Sequence, residues 1–336
     1  MKGILIGIIT FIITTLIIPI VIITSCSIDI PAIEKHKQTR EIEAVESDLI
    51  IKVYNHKTNR VMELYLEEYI LNVVAAEMPA SFEIEALKAQ AVAARTYAIW
   101  KLKGFNDKGN TQHPSAPLCT NHTHCQEWLS TDELRERHGR LWMYQYWGKL
   151  EEAVESTTGI ILTYNMNPIE PLYHSTSGGK TENSEDVFSS EVPYLRSVSS
   201  PYEERSPVLV DKQQVTIEKF ISDLKKRRRD IKLSSSNLEG QIEILERSSG
   251  GSIKRITIGN EEFTGRELRE IFQLRSADFT IKVTGSNVEF TTKGYGHGVG
   301  MSQWGANGMA ERGANYQEIL EHYYQGTILS KIKSYL

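Results

Sequence analysis

Three cysteines in 336 residues are too few for a disulfide framework, and one of them, Cys26, stands at the edge of an amino-terminal apolar run. No G-x-G-x-x-G opens a helix after a strand and no G-x-x-x-x-G-K-[ST] occurs, which removes the usual phosphate cradles for nucleotides. Neither sign of charge dominates. A net charge of -5 with 24% charged residues describes an ordinary soluble surface, and nothing in that balance asks for nucleic acid. The length fits one large or two small domains, with room for a real core.

The exception to solubility comes first. Gly3 to Ser25 holds no charge and is packed with Ile, Leu, Val and Thr over about the length that spans a bilayer core. It reads as a membrane anchor over residues 1–26. A cleavable signal would have a shorter apolar stretch and a small-residue cleavage site, and lipid attachment at Cys26 is a third reading. With almost no chain before the helix, the bulk of the protein is expected outside the cytoplasm. Residues 27–47 mix charges with few apolar positions and read as a linker, so the folded region is expected over 48–336.

That region opens with a strand-like run at Leu49 to Tyr54, a turn through Asn55 to Asn59 and a second run at Val61 to Tyr65, a hairpin pattern. Leu66, Tyr69, Ile70, Val73 and Val74 then recur at helical spacing, and the next position on their face is Glu77. The apolar stripe thus ends in a carboxylate, whose charged form desolvation disfavours. Pro79 stops this helix. Ser81, with Glu83 and Glu85, predicts the N-cap and acidic first turn of a second helix running to about Lys103. Its many alanines allow close approach of a neighbour, and Arg95 shares a face with Leu87 and Ala91. The plain role for Arg95 is an ion pair, with Glu77 the candidate partner.

From Gly104 to Trp128 the composition turns loop-like and gathers His113, Cys119, His122, His124 and Cys125. Soft and imidazole donors at that density suit zinc, while a Cys119–Cys125 disulfide is the competing reading. The histidines favour metal. Gln145 to Thr157 reads as a helix and Ile160 to Tyr164 as a strand, after which PLYHSTSGGKTENSEDVF runs from a short strand into hydroxyls and glycines that could face a polar ligand. Signals are weakest over 203–240, where Lys225 to Arg229 form a basic run, ordinarily a solvated helix face, with anionic polymer or lipid as its functional alternative. Strands are expected at 241–246, 252–258, 279–284 and 288–292, and a Thr264/Glu267 capping box starts a helix through Phe272. In GYGHGVGMSQWGANGMAERG, alternating glycines leave a backbone able to approach a ligand closely, with His297, Gln303 and Trp304 as possible contacts, or else form a tight turn before a helix at Met301 to Arg312. The fold class expected from these elements is mixed α/β (α+β), one compact region with a cleft.

Taken in series, AAEMPASFEIEALKAQAVAARTYA, YHSTSGGKTENSEDVF, VPYLRSV and GYGHGVGMSQWGANGMA strongly resemble the stage II sporulation protein D family of membrane-anchored lytic transglycosylases, over about residues 48–336. Amidase enhancers share this domain. The resemblance implies cleavage of the β-1,4 bond between N-acetylmuramic acid and N-acetylglucosamine in peptide-stripped glycan, leaving 1,6-anhydromuramic ends, with Glu77 as the single catalytic acid. It also implies that Arg95, Tyr194 and Arg196 belong to the site, Arg196 standing where the family has Lys, with His174, Ser175, His297 and Gln303 lining the cleft. A structural zinc is implied on Cys119 and Cys125, with His113 and His124 for the remaining positions. The implied partners are an amidase, stage II sporulation protein P, and stage II sporulation protein M, at the septal and engulfing mother-cell membrane, with no nucleic acid.

Overall fold

The computed structural model describes residues 49–105, 112–113 and 115–334. The expected anchor and linker lie outside these residues, and no helix among the described residues is long and apolar enough to cross a membrane. The expected mixed α/β class is what the chain adopts.

The hairpin forms as its alternation demands. Strands β1 (Ile50–Asn55) and β2 (Arg60–Tyr65) pair antiparallel from Ile50↔Tyr65 to Asn55↔Arg60. Asn55 Oδ1 accepts the amides of Lys57 and Thr58, and Asn59 takes the left-handed conformation that closes the turn. Ile51 and Val53 point into the core. A short strand, β3 (Leu118–Cys119), adds to β1 in parallel and ties the histidine and cysteine segment to the sheet.

Helix α1 (Leu66–Glu77) buries Leu66, Tyr69, Ile70, Val73 and Val74 completely, each worth about 2 kcal/mol of transfer free energy. Its partner α2 (Ile84–Phe105) begins two residues later than a Ser81 N-cap would start it. The Phe82 amide instead closes a turn on the Pro79 carbonyl, and the Phe82 ring packs edge-on against Trp304 at 4.7 Å. Burying that aromatic outweighs a serine cap. Ala86, Ala89, Ala91, Ala93, Ala94 and Ala98 of α2 are all buried, so five elements can lie close around one helix: α1, α4 (Arg140–Glu155), β4 (Ile160–Tyr164), α8 (Gln303–Ala310) and α9 (Tyr316–Tyr323). Before α4 stands α3 (Thr131–His138), absent from the sequence reading although Ser130 and Glu133 form a reciprocal capping box, and after β4 come the short β5 (Asn167–Pro168) and the single turn α5 (Ser184–Val187).

A second hydrophobic cluster, separate from the first, lies in residues 210–293. It joins a sheet of β11 (Phe279–Thr284), β12 (Asn287–Lys293) and β7 (Val210–Thr216) to helix α6 (Ile217–Arg227), a sheet of β10 (Glu261–Phe263), β9 (Ile253–Ile258) and β8 (Ile242–Arg247), and helix α7 (Gly265–Phe272). Phe220, Phe272, Phe279 and Phe290 contact one another at its centre. The basic run Lys225 to Arg229 straddles the end of α6, where cations suit the helix dipole. Lys226 pairs with Asp223, and Arg228 with Glu267.

The alternating glycines are required by close backbone packing, and one of them, Gly296, also lines the cavity described below. They follow β12 and lie against the segment around β6 (Tyr173–His174), which pairs in parallel with β13 (Met301–Ser302). A Cβ on Gly300 would sit 2.0 Å from the Leu172 carbonyl oxygen, and one on Gly296 2.7 Å from the His174 Cβ, with both residues at positive φ. Gly300→Ala should therefore cost at least about 2 kcal/mol by combining strain with a backbone clash, read as a lower denaturation midpoint. An unchanged midpoint would show that this packing is not tight.

Candidate active site

Glu77 is the last residue of α1, and the chain turns away at Met78, whose amide returns to the Val74 carbonyl. The carboxylate faces a cavity of about 560 Å³, large enough for a small ligand, walled also by Gln126, Tyr173, His174, His297 and Trp304. Its Oε1 accepts the Glu127 amide at 2.6 Å, and Gln303 Nε2 donates to the Glu77 backbone carbonyl at 3.1 Å. Burial raises the Glu77 pKa to about 7, with the nearby Glu127 charge adding to the rise. The carboxyl also sits at the negative end of α1, which again disfavours ionisation. The Glu127 amide and the Tyr173 hydroxyl oppose the rise and do not cancel it. Glu127 is the other acid in this wall, and its carboxylate is held by Arg137 at 2.7 Å.

Two histidines face the same cavity and are locked through one residue. His174 Nδ1 donates to the Val299 carbonyl at 3.2 Å, and the Val299 amide donates to His297 Nδ1 at 3.1 Å. Burial pushes the pKa of His174 down to about 4 and that of His297 to about 3, so both are neutral. His174 Nε2 is buried and, among the described residues, has no hydrogen-bond partner. An acceptor left so at a cavity wall suits a ligand N–H or O–H. Ser175 and Gln303 line the cavity.

Arg95 is not brought to this cavity. It is fully buried in a bidentate ion pair with Glu67, through Nε–Oε1 at 2.9 Å and Nη2–Oε2 at 2.6 Å, and also donates to the Ile160 carbonyl at 3.2 Å. The expectation that it holds saccharide or pairs with Glu77 is therefore corrected: its donors are spent inside the core. Tyr194 and Arg196 likewise lie away from the Glu77 wall. The Tyr194 hydroxyl accepts the Glu170 amide at 3.1 Å, and Arg196 pairs with Glu185 and Glu191 while donating to Ser184 Oγ. The serine-rich loop is turned inward too. Ser177 and Gly178 of this loop, with Ser200 and Ser302, direct their donors onto the buried Glu203 carboxylate, while Thr176 bonds Ser206 and Thr181 donates to the Val198 carbonyl, which leaves few of the loop's hydroxyls for a ligand.

Cys119, Cys125, His113 and His124 converge, with one ligand atom from each within 4.8 Å of every other. The two cysteines are free thiols. His124 Nδ1 lies 3.7 Å from Cys119 Sγ and 3.5 Å from Cys125 Sγ, and His113 Nε2 lies 3.7 Å from Cys125 Sγ. A tetrahedral zinc with two sulfur and two nitrogen ligands has S···N edges of about 3.5 Å, so the donor set fits that ion. His113 Nδ1 meets the Ala116 carbonyl at 2.6 Å, the second bond that orients a metal-binding imidazole. His122 stands outside the cluster, exposed on the cavity wall.

Gln126, Glu127 and Tyr173 were missed in the sequence. Gln126 Nε2 reaches the Tyr69 hydroxyl and the Ala94 carbonyl, and Tyr173 donates to Gln126 Oε1 at 3.0 Å. Their signal was adjacency: they follow the last cysteine, or precede His174, without a pattern of their own.

Fold and cavity together define a mixed α/β protein with one poised acid at a ligand-sized cleft. A family model, the SpoIID stage II sporulation protein family, matches residues 54–164. Stage II sporulation protein D of Bacillus amyloliquefaciens is 40% identical over 291 residues, 87% of this chain and 81% of that protein. The protein of the same name from Bacillus subtilis (strain 168) is 40% identical over 86% of this chain and 81% of its own length. The amidase enhancer of Bacillus subtilis (strain 168) is 30% identical over 77% of this chain and 40% of its own. This chain belongs to the stage II sporulation protein D family.

Proposed function

We propose that this protein is a peptidoglycan lytic transglycosylase, cutting the β-1,4 bond between N-acetylmuramic acid and N-acetylglucosamine in peptide-stripped strands for septal wall removal and engulfment. The supporting observation is an acid in the cleft, half-protonated near pH 7, beside a second wall acid, Glu127, that is engaged by Arg137 and so leaves one carboxyl free to act among the described residues. Hydrolytic glycosidases ordinarily place two working carboxylates across the bond. Here Glu77 gives its proton to the glycosidic oxygen as the C1–O bond breaks. The C6 hydroxyl oxygen of the same muramic residue then bonds to C1, and the Glu77 carboxylate takes the hydroxyl proton. No water is consumed, and the acid is regenerated.

Zinc on Cys119, Cys125, His113 and His124 serves structure in this reading. It would pin the segment that continues into Gln126 and Glu127, and so hold the amide bonded to Glu77. A zinc amidase would need an open coordination position, which a set of four protein donors does not leave. The purified protein should carry one zinc per chain. Cys119→Ser should abolish zinc binding and lower the melting temperature by about 5 °C or more. A metal-free native protein with the same melting temperature would sink this role.

Residues 1–26 anchor the chain to the membrane, with the catalytic region outside the cytoplasm. An amidase such as stage II sporulation protein P supplies the bare strands, with stage II sporulation protein M as companion. Likeness to an amidase enhancer favours a second reading, a wall-binding activator that cuts nothing. Incubation with peptide-free glycan and mass spectrometry of the chain ends decides. Anhydromuramic ends support the transglycosylase, reducing ends a hydrolase, and bound but intact glycan the activator.

A further inference from the structure

A second cavity, of about 900 Å³, shares Arg269, Tyr295 and His297 with the Glu77 cleft, so the two adjoin along these side chains as one groove. Its walls are rich in cations, most of them neutralised: Lys254 by Asp186 and Glu246, Arg255 by Glu262, and Arg266 by Glu270. Arg269 and Arg275 have no carboxylate partner among the described residues. Arg269 projects from α7 and is partly buried, with Nε on the Leu274 carbonyl at 3.3 Å and, among the described residues, no hydrogen bond from its two terminal nitrogens. Arg275 is exposed and stacks on the Tyr295 ring at 4.8 Å, a flat cationic and aromatic surface. A desolvated guanidinium with an unused fork matches a carboxylate, which accepts two parallel hydrogen bonds.

We propose that Arg269, assisted by Arg275, forms a carboxylate-binding subsite for a sugar next to the scissile pair. The inference rests on the glycan-cleaving reading above. The chemistry it selects is an amino sugar whose lactyl ether ends in a free carboxylate. A stem peptide converts that carboxylate to an amide and removes the charge, so the subsite would favour stripped strands directly. Phe188 and Tyr295, both partly exposed on the groove, offer ring faces for the sugar itself.

The test uses the full-length chain and two probes: peptide-free glycan, and the same glycan with its lactyl carboxylates converted to carboxamides. Binding and chain-end products are measured for both. The native protein should bind the acidic glycan about tenfold or more tightly, as expected of charge-assisted hydrogen bonds. Arg269→Gln should reduce that preference to about twofold while leaving affinity for the amidated glycan unchanged, and Arg269→Lys should keep part of it. Arg275→Gln, at an exposed position, should reduce the preference about threefold and keeps the test decisive where Arg269→Gln impairs folding. Equal native affinity for both glycans overturns the subsite, as does a parallel loss on both in Arg269→Gln. Preferential binding of acidic glycan without cleavage upholds the subsite and removes the transglycosylase reading. Cleavage without preference does the reverse.

Discussion

Glu77→Gln should lower glycan cleavage by on the order of 10³-fold, the scale of losing a positioned acid and base, while glycan binding and fold survive. Glutamine keeps the shape and the acceptor for the Glu127 amide at 2.6 Å, but has no proton to give the glycosidic oxygen. The native rate should fall as pH rises through about 7, where the acid ionises, and the residual rate of the variant should lack that inflection. Stability supplies an independent check. A carboxyl whose folded pKa lies above its ordinary value binds protons more tightly in the folded state, so its contribution is fully present below about 4.5 and is lost as pH rises through about 7. Above pH 8 the ionised acid costs the native fold up to about 3 kcal/mol, which glutamine relieves. The variant should then be the more stable protein at pH 8, with the advantage gone at pH 4. A Glu77→Gln protein that releases anhydromuramic ends at the native rate removes Glu77 from the mechanism.

Glu77 was legible in the sequence because a helix face repeats, and one position beyond Val73 and Val74 that face meets a carboxylate. Its environment was not, since the neighbours that set its pKa, Glu127 and Tyr173, come from a loop and a two-residue strand too short to show periodicity. The same limit hid the inward turn of the serine loop. Its hydroxyls look available in sequence, and the buried Glu203 that collects them lies some two dozen residues on. Residues 203–240 gave weak signals because β7 places polar Asp211 and Gln213 at two of its three inward positions, so its burial alternates while its sequence does not. The gathering of Cys119, Cys125, His113 and His124 was plain, as cysteines and histidines in one short loop stand out against its other residues. The partner of Arg95 could have been counted. Six residues connect α1 to α2, and a short connection folds the second helix back along the first. Arg95 stands eleven residues into α2, and Glu67 ten residues before the end of α1. Each lies about 15 Å from the turn, whereas Glu77 lies beside it.

Arg95→Ala should therefore destabilise the fold by about 3 to 5 kcal/mol, the scale of leaving a buried charge without its partner. Glu67 takes the arginine fork through both oxygens and also accepts the Gly159 amide at 3.3 Å, so removal of Arg95 strands an anion that is only slightly exposed. The guanidinium also links α1 to the Val154 and Ile160 carbonyls, at the end of α4 and the start of β4, so three elements loosen together. Arg95→Lys should recover only part of the loss, because an ammonium cannot span both carboxylate oxygens and two carbonyls. Replacing the pair at once, with Arg95→Met and Glu67→Leu, should recover most of it, since neither charge is then buried alone. Denaturant midpoints at constant m-value measure each step. Glycan affinity per folded molecule separates the two roles: a core ion pair leaves it unchanged in Arg95→Lys, whereas a saccharide ligand would lose affinity with no shift in the midpoint.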